Sequence, residues 1–200
     1  MNKNNATFIQ RLLALMMDLI LVGIISSLLT YPFINSDNYQ KLSDEATNTM
    51  NEYKQGKITA ETYIRRSSDI GYDLSRITGL SSIITIAIYI LYFIVYQWYN
   101  KGQTIGKKLL KIRLISSNDN NLTLNSIAVR ALLINFILVD MIMVVAIIFG
   151  SKDVYFVTSN LFQSIQYTFV FITAIMILSR KDKRGLHDII AHTKVEKVEV

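Results

Sequence analysis

The chain has 200 residues, of which 51% are apolar and 18% charged, with no cysteine, one proline and a formal net charge of +6. The lack of cysteine excludes a disulfide-stapled secreted module and any thiolate metal site. Charge is nearly missing from four long stretches and dense between them, which excludes one soluble core wrapped in a mixed surface. The basic residues flank those stretches, so the partner they indicate is an anionic bilayer surface and not nucleic acid.

Residues 1–34 hold a short N-terminal segment and a first apolar span, about Phe8 to Ile34, interrupted only by Arg11 and Asp18. Its length, its aspartate and the lack of a small-x-small cleavage site make it a retained helix and not a signal peptide. Residues 35–78 form a polar insert whose EYKQGKITAETYIRR core predicts two short helices around Gly56, a small cap outside the membrane. The second span, within 79–100, carries no charge and ends in the interfacial aromatics Tyr96, Trp98 and Tyr99.

The connection 101–123 begins KGQTIGKKLLKIRLISS. Its Gly102, Gly106, Lys107 and Lys108 lack the glycine spacing and the closing Ser/Thr of a phosphate loop. As an interfacial turn, Lys107, Lys108 and Lys111 meet anionic headgroups while Leu109, Leu110, Ile112 and Leu114 dip into the acyl boundary. The third span, 124–150, contains Arg130 and Asp140; a short loop, 151–157, leads to a charge-free fourth span, 158–179. In the basic tail, 180–200, the spacing of His187, Asp188 and His192 does not suit a metal, so these side chains are expected to make structural contacts. The alternating KVEKVEV at the end is left as either a strand or a loose tail.

Crossing roughly 30 Å of hydrocarbon takes about 20 helical residues, and only helix satisfies its own backbone there without a closed barrel. The fold expected is therefore all-α, an integral membrane four-helix bundle with a polar, helical insert between helices 1 and 2. Thirteen Lys and Arg lie on the side of the termini and seven on the side of the insert, which predicts both termini in the cytoplasm.

A charge at bilayer depth needs a partner or water. Arg11 and Asp18 project from one face of their helix, about 10 Å apart along the axis. Arg11 is expected to snorkel to headgroups or meet Asp188, while Arg130 is long enough to reach Asp18 from below. On the fourth span Ser159, Gln163, Gln166 and Thr173 form a polar stripe, with Gln166 near the depth of Asp18 and Gln163 near that of Asp140.

Arg11, Asp18, the segment GQTIGKKLLKIRLI, Arg130 and the closing RGLHDIIAHT together resemble the RDD family of small bacterial membrane proteins. Arg11 and Asp18 match the first two letters of its name, and Asp188 is the best match for the third. The resemblance covers about 8–195 and leaves out the insert. It implies a multi-pass protein of the bacterial cell membrane, in a family described as transporters of unknown ligands.

Two readings follow. In the first, Asp18, Asp140, Gln163 and Gln166 bind a proton, cation or small solute in transit, and Arg11, Arg130 and Asp188 are counter-charges. In the second, the same charges form a packing network, and the protein recruits partners or lipids without transport. A thin bundle of this kind would transport as a homodimer or higher oligomer. No nucleophile elbow, metal spacing or complete phosphate loop is present in the sequence, so neither enzyme activity nor a cofactor is expected.

Overall fold

The first helix, α1 (Phe8–Ile34), buries one narrow line of side chains, Ala14, Asp18, Val22, Ser26 and Thr30. Successive members are four positions apart, along the ridge by which helices interdigitate. Small side chains at that spacing let a neighbouring backbone approach closely, which drives association where the surrounding lipid is as apolar as leucine. Ile9, Leu12, Met16, Ile20, Ile24 and Leu28 stay exposed on its outer surface. The computed structural model describes residues 5–34, 36–118 and 121–198. Lys3 and residues 119–120 of the polar turn lie outside the described residues.

The insert is a helical hairpin of α2 (Asp37–Lys54) and α3 (Ala60–Ile77), whose N-termini are capped by the hydroxyls of Ser36 and Thr59. Gly56, at φ +70°, turns the chain between them. The helices predicted around Gly56 are these, and both are longer than expected; across the hairpin Tyr53 and Tyr63 stack at 4.7 Å and Arg66 pairs with Glu52. The hairpin sits on the ends of later helices: Tyr72 donates to the Gly150 carbonyl (3.3 Å) and Lys152 pairs with Asp73 (2.8 Å).

The second span is one rod, Gly79–Tyr99, made of α4 (Gly79–Ile90), a π-helical stretch (Leu91–Tyr96) and α5 (Gln97–Tyr99). In the wider turn the consecutive residues Tyr92, Phe93 and Ile94 are all buried; π turns of this kind concentrate at functional sites. The third span, expected as one helix over 124–150, is instead two. α7 (Leu124–Ile134) and α8 (Ile137–Phe149) meet at 67°, and Phe136 between them is left-handed at φ +62°. Gln166 of α9 (Lys152–Ser179) donates to the Leu133 carbonyl at this break (2.8 Å), compensating a backbone group the helix no longer serves. Among the described residues three helices are thus long and apolar enough to cross a membrane, or four if the bent pair counts as one span.

At the end of the bundle where both termini lie, the fold departs from an all-helical expectation. The short α6 (Ile105–Leu109) leads into β1 (Ile112–Ser116), and α10 (Leu186–Ile190) into β2 (Thr193–Lys197). The strands pair antiparallel, Leu114 opposite Val195. Ile112, Leu114, Thr193 and Val195 point inward and are at most 1% exposed, the alternation expected of a strand with one buried face. Leu114 and Ile112 therefore pack under a sheet and not into lipid. The chain before α1 joins the same layer, with the Ala6 N–H bonded to the Val195 carbonyl (3.0 Å).

This layer comes close to a span at Gly106, where a β-carbon would lie 2.2 Å from the Ala14 carbonyl oxygen and 2.9 Å from Asp18 Oδ1. Gly23, on the same helix α1, has nothing within 4 Å of that position. Gly106→Ala is expected to cost about 1–3 kcal/mol through overpacking, whereas Gly23→Ala is expected to be neutral or to gain up to about 1 kcal/mol of helix propensity. Thermal unfolding of the two variants in detergent checks this, and equal midpoints would contradict it.

Candidate functional site

Asp18 is only 2% exposed although it lies in the middle of an apolar helix. Its carboxylate is held by neutral donors. The hydroxyl of Tyr92 (2.6 Å) and the N–H of Gly106 (2.7 Å) donate to Oδ1, and the hydroxyl of Thr104 (2.5 Å) donates to Oδ2. The π stretch supplies Tyr92, whose hydroxyl also accepts from the Ile105 N–H (3.1 Å). The GQTIGK loop supplies Thr104 and Gly106. The glycine at 106 is what lets that loop come close enough to donate a backbone N–H, the physical device of a phosphate loop turned on the protein's own carboxylate. Arg130, expected to reach Asp18, pairs elsewhere, and Gln166 is engaged at the helix break; Tyr92, Thr104 and Gly106 were not identified from sequence as its partners.

Asp188 is fully buried and joins separate parts of the chain. Arg11 Nη1 donates to its Oδ2 (2.8 Å) and Arg130 Nε to its Oδ1 (2.9 Å). The Gly185 N–H (3.2 Å) and the Thr193 hydroxyl (3.4 Å) also donate to the carboxylate. Burial by itself would raise the Asp188 carboxyl, but the Arg130 and Arg11 guanidinium groups outweigh it and hold the group well below the usual carboxylate range. Burial pushes His187 down from its ordinary value, so at neutral pH the ring is uncharged. His187 Nε2 lies 3.1 Å from Arg130 Nη2 and 3.3 Å from Asp188 Oδ1; the guanidinium can only donate, so in the tautomer that accepts from it the ring proton is on Nδ1.

Of the three lysines expected at headgroups, Lys108 and Lys111 are exposed, while Lys107 is 8% exposed and turned inward. Burial, then Arg130, push its ammonium down to about 7. Adjacent residues of a helix point about 100° apart, so a short α6 seated on α1 must bury one lysine and expose the next.

Two cavities flank the break in the third span. One, of about 170 Å³, lies toward the termini and is lined by Arg11, Asp18, Lys107, Arg130, Asn135 and His187 among apolar side chains. The other, of about 520 Å³, lies toward the insert and is lined by Thr30, Ser81, Thr85, Tyr155, Asp140 and Gln163. Asp140 and Gln163 thus share one crevice.

Long apolar helices that bury carboxylates and guanidinium groups against one another define a membrane protein. The RDD family model matches residues 5–192, nearly the whole chain and including the insert; the protein belongs to the RDD family. No curated protein and no solved structure matches the chain.

Asp188→Asn leaves two buried guanidinium groups without a counter-charge and is expected to cost about 3–5 kcal/mol, read as a large loss of folded yield and melting temperature. The native carboxyl is held low, so its contribution is complete above the unfolded value of about 4 and is lost only as pH falls through the folded value; melting of the wild type at pH 5 and pH 8 should show no penalty from this group.

Lys107 carries the opposite sign. Between about 7 and the ordinary 10.5 the folded lysine is neutral while the unfolded one binds a proton, so its contribution to stability rises with pH across that window. The advantage of Lys107→Met over wild type in thermal unfolding should therefore shrink from pH 7 to pH 10; a constant difference would contradict the assignment.

Proposed function

We propose that the protein is a small transporter that moves a proton or small cation across the bacterial cell membrane, with Asp140 and Gln163 as the group reached from the side of the insert. The observation that carries this reading is the broken third span. Asn135, at the break, lines the cavity toward the termini, and Asp140, five residues on, lines the crevice toward the insert, with the 67° bend between them. Discontinuous helices at membrane depth are tolerated where they line a cavity, and transporters place their binding sites there. Asp140 stands in the first turn of α8, and its carboxylate has no hydrogen-bond partner among the described residues, which leaves it available to an ion.

In this reading Asp18, Arg11, Arg130 and Asp188 are the frame of the path and not its binding groups, since the carboxylates already have their full sets of donors. The thirteen basic residues beside the termini against seven beside the insert support a multi-pass arrangement with both termini in the cytoplasm and the insert outside. A bundle this thin works as a homodimer or higher oligomer, and the protein is not an enzyme.

Purified protein in liposomes carrying an internal pH indicator, given proton, sodium and potassium gradients in turn, is expected to dissipate at least one gradient faster than protein-free vesicles. Asp140→Asn should abolish that flux with an unchanged melting temperature. A wild-type rate equal to that of empty vesicles, or full flux through Asp140→Asn, would overturn the reading.

A further inference from the structure

The cavity of about 170 Å³ toward the termini has room for more than one water-sized group, and its polar atoms share one property. Thr173 Oγ1, Arg11 Nε and His187 Nδ1 are buried without a hydrogen-bond partner, and all belong to residues that line it. The Lys107 ammonium makes no hydrogen bond or ion pair among the described residues. With the ring proton of His187 on Nδ1, all four can donate. Buried donors that lack acceptors are costly, and a single ligand that only accepts would satisfy several at once. The surrounding groups agree: the guanidinium groups of Arg11 and Arg130, and the amine of Lys107, which a bound anion would favour in its protonated form, stand around two carboxylates, Asp18 and Asp188, that already accept from other groups.

The walls define the rest of the ligand. Phe8, Leu12 and Leu15 of α1 face Val170, Ala174 and Ile177 of α9 across the cavity, and Leu12 is 42% exposed on the outer surface of the bundle. An inorganic anion would gain nothing from such walls, whereas an acyl chain would bury apolar surface along them.

We propose that this cavity binds the anionic headgroup, carboxylate or phosphate, of a lipid amphiphile from the leaflet on the side of the termini, with its acyl chain leaving between α1 and α9. Lys107 and the free donors of Arg11, His187 and Thr173 hold the headgroup. The lipid thereby fills the gap between the first and last long helices and completes the polar floor that the chain leaves unsatisfied. The site does not depend on whether the protein transports.

The test is binding to the purified full-length protein in detergent, followed by native mass spectrometry and thermal unfolding. The probes are oleate, dioleoyl phosphatidate, dioleoyl phosphatidylcholine, sodium acetate and sodium phosphate at matched ionic strength. Oleate or phosphatidate should give a single retained adduct and raise the melting temperature, while phosphatidylcholine and the two free anions should do neither. Lys107→Met removes the amine that would carry the charge, and Leu12→Trp narrows the mouth from a position that is 42% exposed on the outer surface. Each should weaken binding about tenfold or more, the size expected for one charged hydrogen bond or an obstructed chain. Phosphatidylcholine binding as tightly as phosphatidate would overturn the proposal. Free phosphate or acetate binding as tightly as the lipids would also overturn it, in favour of an inorganic-anion pocket. So would lipid binding that Leu12→Trp leaves unchanged.

Discussion

The structure depends first on one buried carboxylate shared by two arginines. Arg11 comes from the start of α1, Arg130 from α7, and Asp188 from the short helix that precedes β2, so the ion pairs tie together three regions that are distant in sequence. The desolvation of such a cluster is expensive, and its Coulomb energy repays that expense only with good geometry and further hydrogen bonds. Those bonds are present: Gly185 and Thr193 donate to the carboxylate, and Arg184 donates to the backbone carbonyls of Asp188 and Thr193. The cluster specifies register more than it adds stability. It sets where the tail lies, hence where β2 meets β1, and hence which residues close the end of the bundle.

Asp18 shows the other way to lodge a carboxylate in an apolar setting. No cation touches it; two hydroxyls and one backbone N–H do. Neutral dipoles aimed at a fixed charge leave the neighbouring cations uncommitted. Lys107, one residue from the N–H that binds Asp18, makes no hydrogen bond or ion pair through its amine among the described residues. The two carboxylates are therefore linked: one takes both arginines, the other takes none, and the lysine between them faces the cavity.

Much of this was legible because lipid imposes a coarse code. Stretches free of charge mark the apolar helices, a seven-residue interval puts Arg11 and Asp18 on one face, and RGLHD offers an acid for Arg11 at the same end of the bundle. The break at Asn135–Phe136 was not legible, since neither glycine nor proline marks it and the left-handed Phe136 is held by tertiary contacts such as that of Gln166 with Leu133. The strand pairing was hidden for a different reason. IRLIS and TKVEK each alternate, but a register between segments so far apart in sequence follows from the Asp188 cluster and not from either segment alone. The GQTIGK loop lay between these cases. Its resemblance to an anion-binding loop had a physical basis, but the anion is the chain's own Asp18, so the motif fails as a nucleotide signature while its chemistry holds.

The same comparison separates the three acids that the helices carry toward their buried sides. Asp188 is neutralised by two guanidinium groups and Asp18 is enclosed by three donors, so releasing either requires the terminal layer to come apart. Asp140 has neither arrangement. It stands at the N-terminal turn of a half-helix, beside a crevice lined by hydroxyl and amide groups, and the backbone next to it is bent. A carboxyl without a fixed partner is kept at such a depth where water reaches it or where it takes a proton. The three carboxylates thus differ in kind: Asp18 and Asp188 are fixed by the chain's own donors, whereas Asp140 has no hydrogen-bond partner among the described residues and is the one that the proposed path would use.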